Sequence, residues 1–158
     1  MTLKSGISAG IIAFIITFIA EIPIYPPENW VISFELFSLN KTNFYYWGYK
    51  TNEQGVFTPF LGSFPESLIY VCIWSFIFII GLNSIMASTS KANLSNSLKL
   101  FKLNILLLLL ILSIFSWIEI ILILEDLGSF FDIIGLGYYL TIIVLILNII
   151  AVKKVKKD

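Results

Sequence analysis

The sequence predicts an all-α membrane protein: a four-helix transmembrane bundle with a small three-stranded antiparallel β-sheet in its first extracellular loop. Three observations predict it. Four long apolar segments, at 6–25, 67–87, 103–124 and 133–152, each approach the ~20 residues a helix needs to cross ~30 Å of hydrocarbon. The polar stretches around them alternate in the sign of their charge. The stretch 26–66 is rich in aromatic residues and alternates with a period of two, which is the mark of strands.

Composition agrees. Hydrophobic residues make up 58% of the chain and charged ones 13%, and the mean hydropathy is +0.94, which excludes an ordinary soluble domain. Four spans and one loop use up the 158 residues, so one membrane domain over 1–158 is expected.

The first span follows Lys4 and opens with Gly6 and Gly10, a Gly-x-x-x-Gly that lets helices approach. It closes in Ile22-Pro23-Ile24-Tyr25-Pro26-Pro27 with no small-residue cleavage site, so it is read as a retained span. In the outer loop, Trp30, Ile32, Phe34 and Leu36 share one strand face. A turn over 38–42 leads to a second strand over 43–50 with Trp47 on it, and a turn over 51–55 leads to a third over 56–60. Three antiparallel strands are about the minimum for a sheet with one covered face, and the outer ends of the helices supply the cover. Ser63 and Glu66 with Pro65 between them form a start signal for the second span.

The Ser/Asn/Lys-rich stretch 88–102 is expected to be a linker whose end extends the third helix. The leucine-rich run 105–112 is expected to face lipid. Asn83, Asn104 and Asn148 lie near the ends of their spans on one side and are expected to bond between helices or to anchor them at the interface. Gly135 and Gly137 open the fourth span and permit a close neighbour.

Lysine placement sets the orientation. Lys4, the group Lys91, Lys99 and Lys102, and the tail Lys153, Lys154, Lys156 and Lys157 mark three cytoplasmic regions. Acids dominate the other two: Glu28, Glu35, Glu53 and Glu66 in the first loop, Glu125, Asp126 and Asp132 in the third. Both termini are expected inside a cell membrane, with 26–66 and the third loop outside.

Histidine is absent and Cys72 is the single cysteine, so a Cys/His metal cluster and an internal disulfide are excluded. No catalytic motif, cofactor motif or nucleic-acid signature is present, and a non-enzymatic protein is expected. Two acids, Glu21 and Glu119, fall inside the apolar segments. With no basic residue at their depth, they are expected to be neutral or hydrogen-bonded to Tyr70, Tyr138, Tyr139, Ser113 or Ser116. An ion or proton path through them is the alternative. Trp74 and Trp117 are expected inside the bundle, and Tyr25, Trp30, Tyr70, Tyr138 and Tyr139 in an outer aromatic belt. Asn40-Lys41-Thr42 forms a glycosylation sequon. The loop aromatics Trp30, Tyr45, Trp47 and Tyr49 are the candidate contact and packing residues, with Tyr45 and Tyr49 expected to be exposed.

Pro27-Glu28-Asn29-Trp30, then Tyr45-Tyr46-Trp47, then the turn over 51–55 follow the order of landmarks in one family's first loop. Ser116-Trp117 and Gly137-Tyr138-Tyr139-Leu140 match its third and fourth helices. On these the chain resembles the claudin-like superfamily of four-span membrane proteins, over its whole topology. It departs in lacking the two loop cysteines, with Lys50 and Phe57 near where they would fall, and in carrying Tyr-Tyr where the family has Gly-Leu. The resemblance implies adhesion, barrier formation or membrane organisation through the outer sheet. The partner would be the chain itself or another membrane protein. A small accessory subunit of a larger membrane complex is the alternative.

Overall fold

The computed structural model describes residues 3–24, 30–39, 41–51, 55–89, 93–124 and 133–156. Four helices carry the fold: α1 (Lys4–Phe18), α2 (Leu68–Ser88), α3 (Leu94–Leu124) and α4 (Leu136–Val155). α1 and α3 each pack against both α2 and α4, which closes the four into a ring. Ala13, Ile77, Ile80, Leu108, Ile111 and Val144 fill its centre. At one end Leu3, Ala87, Phe101, Ala151 and Val155 form a second cluster, so the described ends of the chain lie together there.

α1 buries a face of small residues, Gly6, Ala9, Gly10, Ala13 and Thr17. A Cβ on Gly10 would stand 2.9 Å from the Gly81 carbonyl oxygen of α2, so only glycine allows this approach. The Gly-x-x-x-Gly therefore works along its full length, Gly6 lying as close to Ser88 and Phe101.

α2, α3 and α4 are long and apolar enough to cross a membrane; α1 is a shorter apolar helix of 15 residues. The single span expected over 6–25 is thus corrected: its helix ends at Phe18, and Glu21 begins a strand. Pro23 accounts for the change. It supplies no N–H to a helix, disfavours helical geometry at Ile22, and sits beside β-branched residues that favour extended backbone. α3 instead starts earlier than expected, because most of the linker is helical; Leu98 and Phe101 pack into the second cluster.

The outer layer is also corrected. Instead of one three-stranded sheet there are two. β1 (Glu21–Ile24) and β2 (Trp30–Ser33) form an antiparallel ribbon. β3 (Phe37–Leu39), β4 (Thr42–Phe44), β5 (Gly48–Thr51) and β6 (Phe57–Pro59) form an antiparallel sheet in chain order. The strand face expected to run from Trp30 to Leu36 breaks after Phe34, which still bonds across the ribbon, because Glu35 and Leu36 bond elsewhere. Phe34 N–H donates to Ala20 O at 2.8 Å, while Glu35 and Leu36 accept from Gly137 and Gly135 at 2.8 and 3.0 Å. The strand expected over 43–50 is a hairpin, closed by Tyr45 N–H donating to Gly48 O at 2.8 Å. The start signal at Ser63–Glu66 is not used as a cap: α2 begins at Leu68, and the Ser67 hydroxyl donates back to the Phe60 carbonyl.

Candidate functional site

The layer is tied to the bundle by side chains from the β4–β5 turn. The Tyr46 ring is buried, and its hydroxyl meets Thr141 Oγ1 of α4 at 2.7 Å. Thr141 in turn donates to Gly137 O at 2.8 Å. Burial raises the Tyr46 phenol above its ordinary pKa, partly offset by the bond to Thr141.

Tyr45, expected at the surface, is 1% exposed, which corrects that expectation. Its hydroxyl donates to Glu21 Oε1 at 3.0 Å and lies 3.0 Å from Ser33 Oγ. Burial pushes its pKa up to about 12; the Ser33 bond opposes this, and Glu21 adds to it through both hydrogen bond and charge. Ser33 donates to Glu35 Oε2 at 3.0 Å.

Glu21 is not a lone intramembrane acid. Lys50 Nζ lies 2.9 Å from its Oε1 and 2.7 Å from its Oε2. The expectation that no basic partner exists fails because the chain leaves the helix before Glu21, and the β4–β5 hairpin carries Lys50 to it.

Glu119 is 2% exposed on α3, and its Oε1 has no partner among the described residues. Two of its expected partners are engaged with each other, Ser116 Oγ and Tyr138 hydroxyl being 3.1 Å apart. Trp47 is half-buried with its ring 4.0 Å from that of Phe57, and its Nε1 is buried without an acceptor. Tyr49 is half-buried between the Phe44 and Phe60 rings. Trp30 opens β2 opposite Ile24; its side chain, like Tyr25 and the Asn40 position, lies outside the described residues.

Trp74 packs against the core and donates from Nε1 to Thr17 O at 3.2 Å. Trp117, expected inside the bundle, is 66% exposed on α3. The three asparagines do bond between helices. Asn83 Nδ2 donates to Asn104 Oδ1 at 3.1 Å, and Asn104 Nδ2 reaches Ser84 Oγ at 2.9 Å and Asn148 Oδ1 at 3.1 Å. α2, α3 and α4 are thereby joined through one buried polar knot.

Two features escaped sequence reasoning. The β1–β2 ribbon exposes Ile22, Ile24 and Ile32, at 39, 44 and 39%. The register pairs Ile22 with Ile32, so all three share one face. The alternation Ile22-Pro23-Ile24 was its signal, hidden because it continued an apolar run. Second, a cavity of about 330 Å³ opens where α1 ends and α2 begins, under Tyr46, Trp47 and Phe60. A second hollow of about 440 Å³ shares Phe18 and Trp47 with it and is lined by Glu21 and Lys50. Among the described residues, no three His, Cys, Asp or Glu side chains gather to hold a metal.

Comparison of the chain with protein-family models, curated proteins and solved structures gives no match.

Proposed function

We propose that this chain is a non-catalytic integral membrane protein that works by protein–protein contact through its outer β layer, in adhesion, barrier formation or membrane organisation as in claudin-like proteins. In this reading all four helices cross a cell membrane, with both termini on the cytoplasmic side. The observation that carries it is the isoleucine face of the β1–β2 ribbon. Most described aromatic rings of the layer pack against one another or against the bundle, whereas Ile22, Ile24 and Ile32 face outward. A contiguous apolar face outside the bundle is what a contact surface requires.

Ile22→Thr with Ile32→Thr keeps the β-branched shape and removes the apolar face. Self-association, read as particle size in mild detergent and by cross-linking, is expected to fall while the melting temperature holds. Docking through α3 as an accessory subunit is the second reading, favoured by the exposed Trp117. It prevails if the double variant assembles like the parent and Trp117→Leu does not. Transport is the weakest reading, since Glu21 is held by Lys50 through both carboxylate oxygens.

A further inference from the structure

We infer that the paired hollows at the foot of the β layer bind one glycerophospholipid from the adjacent leaflet, its acyl chain in the apolar cavity and its zwitterionic headgroup beside Lys50 and Glu21. The apolar cavity is lined by Phe18, Tyr46, Leu61, Val71 and Trp74, with Trp47 between it and its neighbour. Its volume of about 330 Å³ falls at the lower end of the ~300–1,000 Å³ range of ligand sites. Phe18 ends α1 and Val71 lies in the first turn of α2, so the opening lies where helices give way to sheet. That is the depth at which acyl chains give way to headgroups when the helices cross a bilayer.

Polarity selects the occupant. Trp47, which lines both hollows, is the residue whose Nε1 is buried without an acceptor among the described residues. A peptide segment would bring a donor and an acceptor at nearly every residue into a cavity whose lining is apolar and aromatic. A lipid brings none along its tail, which matches the apolar lining, and carries its acceptors at the ester and phosphate end, which suits the neighbouring hollow that Trp47 shares with Lys50. Beyond Trp47, Lys50 and Glu21 present one charge of each sign, both about a quarter exposed. A phosphate beside the ammonium and a headgroup cation beside the carboxylate complete a neutral set. Lys50 and Glu21 already neutralise each other, so a zwitterionic headgroup keeps the site neutral, whereas an anionic one would leave a net charge and a diacylglycerol would offer the ammonium's remaining N–H no phosphate.

Phosphatidylcholine titrated into the detergent-solubilised protein and followed by native mass spectrometry tests the site. One tightly retained molecule is expected. Trp47→Phe keeps the ring, removes the donor and should weaken retention about fivefold. Leu61→Trp and Val71→Phe each fill the cavity from a different wall and should weaken it at least about tenfold. Either suffices, provided it melts like the parent. Diacylglycerol should compete poorly. No retained lipid in the parent, equal retention in Trp47→Phe and a filling variant, or equal binding of diacylglycerol each overturns the inference. Loss of self-association in the ribbon variant bears only on the contact reading, because neither Ile22 nor Ile32 lines either hollow.

Discussion

At the residue scale, the chemistry of the outer layer turns on a chain of polar groups running from Lys50 through Glu21 and Tyr45 to Ser33. Tyr45 carries a pH prediction. Its folded pKa, about 12, lies above the unfolded value of 10.0, so the fold favours the protonated phenol. That stabilisation is fully present below pH 10 and is lost as pH rises toward 12, at up to about 1.4 kcal/mol per pH unit for one proton. Melting curves of the parent and Tyr45→Phe between pH 9 and 12 should converge, the parent losing its advantage as the phenol ionises; parallel curves would show that Tyr45 does not titrate with folding. Glu21→Gln should cost about 1–2 kcal/mol through the weakened bonds to Lys50 and Tyr45. Adding Lys50→Met should recover part of that loss, which a double-mutant cycle on melting temperature would detect. The sequence supplied both partners but not their pairing. Glu21 sits at the end of an apolar run, and Lys50 reaches it only through the register of a hairpin far along the chain.

At the element scale, α4 meets the β layer backbone to backbone. A Cβ on Gly137 would collide with Phe34 O and come within 2.9 Å of Glu35 O. Gly137→Ala should therefore cost about 1–3 kcal/mol and make the layer protease-sensitive before the helices melt; intact protection would mean that the 34–36 segment shifts without loss. Asn104 touches Asn83, Ser84 and Asn148. Asn104→Ala should lower stability in a detergent unfolding titration by about 1–2 kcal/mol, near the upper measured range for bonds between membrane helices. An unchanged midpoint would show that the knot orients the helices without stabilising them. Helix existence was legible from apolar length, and the asparagine bonds from their shared depth. The end of α1 was not, because hydropathy does not distinguish a helical isoleucine from an extended one. The fourth strand was missed because the aromatic run 43–50 alternates as well across a hairpin as along a strand.

At the scale of the whole molecule, the ring of helices has the sheets at one end and the lysine-bearing ends Lys4 and Lys153 at the other, where Leu3 and Val155 meet. With the native Cys72 replaced by Ser, cysteines at Ser95 and Val56, both exposed, should be labelled by an impermeant reagent from opposite faces of the membrane. Labelling from the same face would defeat the four-span topology. That the sheets and the lysine-bearing ends lie at opposite ends of the bundle was legible in the charge pattern, since it depends on which residues lie between the apolar segments and not on how they pack. The short α1 was not readable, and it has a consequence of its own. At 1.5 Å per residue α1 measures about 22 Å, against about 31 Å for α2 and 30 Å for α4. With all four helices in a bilayer, as proposed, the α1 flank is where the helix falls short of the hydrocarbon thickness, at a fraction of a kcal/mol per Å of mismatch. On that reading, two copies with their α1 flanks turned toward each other would share a single deformed patch, and the lipid would give their approach a preferred direction before any side chains touch.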